Sequence, residues 1–372
     1  MKGTEFILES IEDAERLEKA YQIPLTDILL ISLNIEGVNY EKLDSARLKF
    51  SIKPKNQEEK FFLAVTNNKN SRWKYENNKV SFEGNTIGNS DEISEDTCDT
   101  TYFRKYIKYN EKKIGTELTI NSNSRSSCKG CKFCGTYNSA SKDSGKNNLL
   151  NIKNLKTKLN EILENEKLND FSHLEEVGIV TGCFKGEEET LEHLLMLNDV
   201  LRKEYSFAGE LEYVGSQIRS EKIIETLAKY AKPATISLTI ECFTRRDDIL
   251  KSSKTISLEK SREILENSVK KGIGTSFIYI AGLDPLNILE EEFYKYQPLV
   301  TKMPIVNTLQ EYVPGQFRIR DATANKIEYY LECRRIIENV FRNTNLKPHV
   351  WENYRGLFFT SFKGEKLDGI KI

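Results

Sequence analysis

The sequence predicts an α/β protein: six strand–helix units wound into an incomplete barrel, behind a smaller N-terminal α+β domain. Three observations predict it. From about residue 115 onward, short runs rich in β-branched residues alternate with amphipathic helical stretches, the rhythm of parallel strands joined by right-handed crossovers. Only six such units can be found, so the barrel is partial and not the closed eight-fold form. Before residue 115 the pattern is mixed and carries no strand–helix repeat.

In chain order, residues 10–21 have helical spacing, while 27–35 (Asp-Ile-Leu-Leu-Ile-Ser-Leu-Asn-Ile) and 60–65 read as strands. Residues 73–82 read as a hairpin around Asn77-Asn78, inside a turn-rich stretch from 67 to 99. The first barrel strand is 117–121, and it runs directly into a cysteine-rich loop that ends in a Ser-, Lys- and Gly-rich stretch, 138–148. Helix 152–166 follows. The next units pair strand 175–181 with helix 187–205, strand 210–214 with helix 220–230, and strand 234–241 with helix 257–271. Strand 275–281 with helix 290–300 and strand 305–312 with helix 322–342 complete the series. The expected division is 1–114 for the accessory domain, 115–345 for the barrel and 346–372 for a C-terminal extension.

Composition restricts the function. The 372 residues are 38% hydrophobic and 30% charged, as in a soluble globular protein, and 55 Lys plus Arg nearly cancel 56 Asp plus Glu. A formal charge of −1 gives no general attraction to nucleic acid or to an anionic membrane, so RNA modification is disfavoured. No apolar run approaches the ~20 residues of a membrane span, and the first ten residues lack the apolar stretch of a signal peptide. Seven cysteines, three crowded and four scattered, do not form a disulfide framework. The expected location is cytoplasmic.

The crowded cysteines carry the chemistry. Cys128, Cys131 and Cys134 lie in Arg-Ser-Ser-Cys-Lys-Gly-Cys-Lys-Phe-Cys-Gly-Thr-Tyr, residues 125–137. Three close thiolates hold three corners of a four-iron cluster and leave the fourth iron open. A bacterial ferredoxin run would continue with a fourth cysteine and a proline, where this chain has Asn138 and Ser139. A structural zinc site would want four protein ligands, with Cys98, Cys183 or one of His173, His193 and His349 as the fourth. The histidines show no local ligand spacing. After the later strands come Gly182-Cys183, Gly215-Ser216-Gln217, Glu241-Cys242 and Gly282-Leu-Asp-Pro285, all at the strand ends where such barrels place chemistry.

This combination resembles the radical S-adenosylmethionine superfamily over roughly residues 115–345. The interval Cys131-Lys-Phe133-Cys134 matches the family pattern, and the first interval is one residue short, a C-x2-C-x2-C variant in which Gly130 supplies unusual backbone angles. The resemblance implies a partial TIM-like (β/α)6 barrel with a [4Fe-4S] cluster on Cys128, Cys131 and Cys134. It implies S-adenosyl-L-methionine on the open iron, and reductive cleavage to a 5′-deoxyadenosyl radical that takes hydrogen from the substrate. Phe133, Gly182, Ser216, Glu241 and Arg262 are placed like cofactor-contacting residues, Glu187 less clearly so, and residues 272–283 resemble the strand-five motif beside the adenine. A flavodoxin- or ferredoxin-like reductant is implied as a partner.

Plainer readings stand beside these. Cys183 is a hydrogen-atom donor or substrate-reactive thiol, or else a small buried side chain; Cys242 and Cys333 read as packing residues. Gln310, Tyr312, Arg318 and Arg320 face the substrate or form a surface loop, and Tyr137 leans over the cluster or packs its own loop. The acidic runs at 187–189 and 290–292 suit helix starts. The expected task is hydrogen abstraction from a peptide or small metabolite in a biosynthetic pathway, with the bond made or broken left open. No cobalamin-binding motif is evident. The alternatives are a non-catalytic zinc-binding recognition module and a passive electron carrier.

Overall fold

The structure is a computed structural model that describes residues 6–55, 57–58, 60–95, 101–109, 112–122, 130–135, 137, 148–180, 184, 186–251, 255–349 and 356–367. Helix α1 (Ile11–Tyr21) starts at Ser10, whose hydroxyl accepts from the Asp13 N–H at 3.1 Å, and it buries Ala14 and Leu17. Residues 27–35, expected as a strand, instead lie in helix α2 (Leu25–Glu36). The reason is burial: residues 27 to 36 are all buried, so the apolar run shows no one-sided periodicity, and such a run does not distinguish an enclosed helix from an enclosed strand. Pro24 just before the first turn and Asp27 within it were the signals for a helix.

A first sheet follows, from β1 (Arg47–Pro54), β2 (Phe61–Thr66), β3 (Trp73–Glu76), β4 (Lys79–Phe82), β5 (Asn85–Ser90) and the short β6 (Ser94–Glu95). Its order is β2-β1-β5-β4-β3, with β6 also on β1, and the pairings between these strands are antiparallel. The expected hairpin is β3–β4. It turns on Asn77 and Asn78 at φ 49° and 57°, two consecutive left-handed residues whose twist matches that of the strands.

The second sheet begins with β7 (Thr101–Tyr109) and β8 (Lys112–Ile120), an antiparallel pair. Beyond it come α3 (Ile152–Glu166), β9 (Glu176–Val180), α4 (Glu187–Glu204), β10 (Glu210–Gly215), α5 (Glu221–Tyr230) and β11 (Ala234–Glu241). The short α6 (Arg246–Ile249), α7 (Leu258–Lys270), β12 (Gly274–Ala281), α8 (Leu286–Tyr296), β13 (Ile305–Thr308) and α9 (Ile327–Phe341) complete it. The order β13-β12-β11-β10-β9-β8-β7 places six parallel strands side by side in chain order, a mixed α/β architecture. β7 lies on the N-terminal side of the expected division at 115 yet is hydrogen-bonded into this sheet.

The N-terminal ends of the parallel strands form a charged floor. Arg104, 1% exposed, reaches from β7 to Glu117 at 3.1 Å, Glu212 at 2.7 Å and Glu176. Lys302 pairs with Glu176 and, at 3.1 Å, with Glu210. A cavity of about 290 Å³ opens beside this network, lined by Glu117, Glu176, Glu212, Ser276, Lys302 and His349 among others. Gly178 leaves the space the guanidinium occupies, since a Cβ there would stand 2.6 Å from an Arg104 nitrogen.

Candidate functional site

The opposite, C-terminal ends of the strands gather the site. β8 ends at Ile120, and the chain leaves and returns at one point, where the Leu149 N–H donates to the Ser122 carbonyl at 3.0 Å. Between them, Cys131 and Cys134 stand on one tight turn: the Cys134 N–H donates to the Cys131 carbonyl at 2.9 Å, and the Tyr137 N–H to the Cys134 carbonyl at 3.0 Å. Gly130, entering the turn, takes φ +75°, the left-handed conformation the shortened interval asks of a glycine. Cys128, the third cysteine of the expected set, lies outside the described residues.

Cys131 and Phe133 are buried among Cys242, Ile249, Leu250, Ile280, Leu283, Leu309 and Ile319, with Cys134 and Phe317 at the margin. These neighbours come from the ends of β11, β12 and β13 and from α6, so the turn sits over the strand ends in an apolar, water-poor setting. Its main chain is fastened twice. On one side the Lys132 N–H donates to the Ile249 carbonyl at 3.0 Å, and the Lys132 ammonium pairs with Asp248. On the other, the buried Gln316 amide donates to the carbonyls of Lys132 at 2.9 Å and Cys134 at 3.0 Å.

Asp284, just past β12, organises the neighbouring loop. Its carboxylate accepts from the Phe243 N–H at 2.8 Å, the Thr244 N–H at 2.7 Å and the Thr244 hydroxyl at 2.6 Å. Burial still raises its pKa above the ordinary carboxylate range, because the hydrogen bonds only partly offset desolvation. Arg246 ties down the same loop through the carbonyls of Ile240 at 2.7 Å, Ile256 at 3.1 Å and Cys242. Burial, with Asp284 nearby, pushes the Cys242 thiol far up, so it stays protonated as the packing residue the sequence suggested.

The other expected residues fall as follows. Ser216 is buried at the end of β10 with its hydroxyl on Thr239. Glu241 ends β11, 6% exposed, at φ +67° and beside a register shift between β11 and β12. A non-glycine residue held there stores backbone strain of the kind found at working sites. Arg262 lies on α7 and pairs with Glu292 of α8 at 3.0 Å. Glu187 caps the following unit: its carboxylate accepts from the N–H groups of Arg219 at 2.9 Å and Ser220 at 2.8 Å. Burial alone would raise it, and these N–H groups more than compensate. Gln310 is buried and Tyr312 half-buried, whereas Arg318 is exposed and Arg320 rests over the Phe317 ring at 4.9 Å. Gly182 and Cys183 lie outside the described residues. Of the histidines, His193 is buried on α4 and held down to about 4 by desolvation.

Sequence reasoning missed Gln316 altogether and saw Asp284 only as part of a loop motif. A carboxylate followed by proline before a helix was its one local signal; Gln316, whose partners are backbone carbonyls far away in the chain, had none.

Cys131 and Cys134 are not disulfide-bonded, and soft thiolates on one turn suit iron–sulfur clusters or zinc. Among the described residues no group of three His, Cys, Asp or Glu side chains is placed to hold a metal. No described helix is long and apolar enough to cross a membrane.

No family model and no curated protein matches the chain. Among solved structures it is similar to Streptococcus suis SuiB bound to S-adenosylmethionine, at 15% identity and TM-score 0.43, covering 62% of this chain and 49% of that one. A second SuiB structure gives 15% identity and TM-score 0.41, with 62% and 48% covered. The radical S-adenosylmethionine methyltransferase TsrM from Kitasatospora setae, with cobalamin and a [4Fe-4S] cluster bound, gives 9% identity and TM-score 0.29 over 43% and 31%. The chain thus spans about half the length of the SuiB structures. At this identity and TM-score the likeness is too slight to assign an activity.

Proposed function

We propose that the chain is a radical S-adenosylmethionine enzyme on a partial (β/α)6 barrel spanning residues 115–345, with 1–114 as an accessory domain and 346–372 as an extension. The observation that carries this reading is the Cys131–Cys134 turn, with its two cysteines three residues apart, seated over the ends of β11, β12 and β13. Residues that close a turn there meet the requirement that chemistry in such barrels sits at the C-terminal face. Cys128, Cys131 and Cys134 would hold a [4Fe-4S] cluster with one iron left to S-adenosyl-L-methionine. When bound, such a group would supply the one electron that breaks a carbon–sulfur bond of the sulfonium, with methionine leaving and a carbon-centred radical formed for hydrogen abstraction.

The chain's own residues do the rest. Phe133, Ile280, Leu283 and Leu309 exclude water from the turn, where a stray proton donor would quench a radical. Ser216 and Glu241, at the ends of β10 and β11, are assigned to cofactor contact together with Gly182. Arg262 would have to exchange Glu292 for a cofactor carboxylate to join them. Cys183 is the candidate hydrogen donor or substrate-reactive thiol. The substrate class is a peptide or small metabolite of a biosynthetic pathway. A flavodoxin- or ferredoxin-like protein supplies electrons in the reducing cytoplasm that a labile cluster requires.

Anaerobic purification tests the reading. A brown protein with about four iron and four sulfide per chain, converting S-adenosylmethionine to methionine and 5′-deoxyadenosine when reduced, is expected. A colourless protein with one zinc would instead make it a recognition module, and a coloured protein inert towards S-adenosylmethionine an electron carrier.

A further inference from the structure

Gln316 lies on the loop after β13, in a single helical turn, Gln316–Ile319. Its side chain is 5% exposed and uses both ends of the amide. The oxygen accepts from the N–H groups of Tyr312 at 2.7 Å and Val313 at 2.9 Å, while the nitrogen donates to the carbonyls of Lys132 at 2.9 Å and Cys134 at 3.0 Å. A buried carboxamide bonded in four directions to main chain is fixed in orientation, and it fixes what it touches. The carbonyls it holds are those on either side of Phe133, within the cysteine turn.

The same loop is anchored on its other side to the N-terminal part of the chain. The Tyr312 ring lies against Gly135, where an added Cβ would approach it to 3.5 Å, and the Arg47 guanidinium of β1 stands 5.2 Å from the ring centroid. The Tyr312 hydroxyl donates to the Gln310 side-chain oxygen, and the Gln310 nitrogen donates to the Asn34 carbonyl at 2.7 Å, the Asn34 side-chain oxygen at 3.0 Å and the Ala64 carbonyl at 3.2 Å. Asn34 is on α2 and Ala64 on β2. A continuous polar chain therefore runs from the first sheet and its helix, through Gln310 and Tyr312, to Gln316 and the cysteine turn.

We infer that Gln316 is a positioning residue that holds the Cys131–Cys134 turn in its metal-receiving form before any metal arrives, and that Tyr312 and Gln310 tie that hold to the N-terminal domain. The inference rests on reading the turn as a metal-holding loop, but its first test needs no metal.

In metal-free protein, site-resolved alkylation rates are compared for the wild type, Gln316→Met and Gln316→Glu. Methionine keeps the volume without the hydrogen bonds. Glutamate keeps the two acceptances from Tyr312 and Val313 but sets an oxygen, in place of the donating nitrogen, against the Lys132 and Cys134 carbonyls. In both variants alkylation of Cys131 and Cys134 is expected to quicken about tenfold, the factor appropriate to losing two neutral buried hydrogen bonds. The buried Cys242 and Cys333 should stay unreactive and report an intact fold. After reconstitution the variants should also show altered cluster electron-paramagnetic-resonance signals at unaltered thermal midpoints. Rates within twofold of the wild type in both variants would overturn the inference. So would joint exposure of Cys242 and Cys333, which would mark Gln316 as a general structural residue. Metal analysis of the wild type separates the two claims: zinc in place of iron would sink the iron–sulfur reading and leave the alkylation result standing.

Discussion

The two ends of one set of parallel strands have opposite chemistry. At the floor, Arg104 and Lys302 pair with Glu117, Glu176, Glu210 and Glu212, side chain to side chain. At the mouth, buried charges lean on main chain, as with Asp284 on the Phe243 and Thr244 N–H groups and Arg246 on the Ile240 and Ile256 carbonyls, and the ion pair at the turn, Lys132–Asp248, lies at the surface. Two carboxylates record the difference. Burial acts on both, but at Glu212 the attraction of Arg104 and Lys302 outweighs it and the pKa falls, whereas at Asp284 burial wins and the pKa rises. The floor spends its polar groups on one another and has the character of a staple. The mouth carries two cysteines on a turn whose backbone is held by Gln316 and Ile249.

Substitutions can break this contrast. The largest effect is expected for Cys131→Ser, which should take iron from about four atoms per chain to almost none and abolish S-adenosylmethionine cleavage, with little change in the urea midpoint. Arg104→Met should do the converse. It leaves Glu117, Glu176 and Glu212 buried without their main cation, which costs about 3–5 kcal/mol in urea unfolding, yet iron per folded chain should stay at the wild-type level. The same variant should invert an acid response. In the wild type the lowered Glu212 pKa contributes stability that is present above its unfolded value and lost as pH falls through the folded one. Without Arg104 burial dominates, so stability should rise as pH is lowered from about 8 towards about 5.

His193 lies outside the contrast and serves as a control. Its folded pKa of about 4, against 6.5 unfolded, means that stability is full above 6.5 and lost as pH falls through that window. His193→Gln should flatten the urea midpoint there, sparing about 2 kcal/mol between neutrality and about pH 5. Gly130→Ala should have the smallest effect, about 1 kcal/mol from forcing an alanine to φ +75°, and it should slow cluster uptake more than it lowers the unfolding midpoint.

Much of the fold was legible because it repeats. Alternating strand and helix periods give the six parallel strands, and two adjacent asparagines give the β3–β4 turn. Residues 27–35 were misread because enclosure on all sides erases the periodicity that separates helix from strand. At the site, the cysteine spacing drew attention to the stretch after β8, where the described Cys131 and Cys134 stand on one turn. What could not be read were residues whose partners lie far away in sequence. Gln316 is one, and Arg104 is another, its three carboxylates arriving from three different strands. Glu187 shows the reverse: a plausible cofactor contact by position, it is engaged by the N–H groups that begin the next helix unit.

The proposal that the cysteine turn holds a cluster open to S-adenosylmethionine is tested most directly by electron paramagnetic resonance of the reduced, reconstituted protein with and without that compound. The g-values are expected to shift when the sulfonium compound is added, and the shift should be lost in Cys134→Ser. A cluster spectrum that is the same with and without it would contradict the reading and leave an electron carrier.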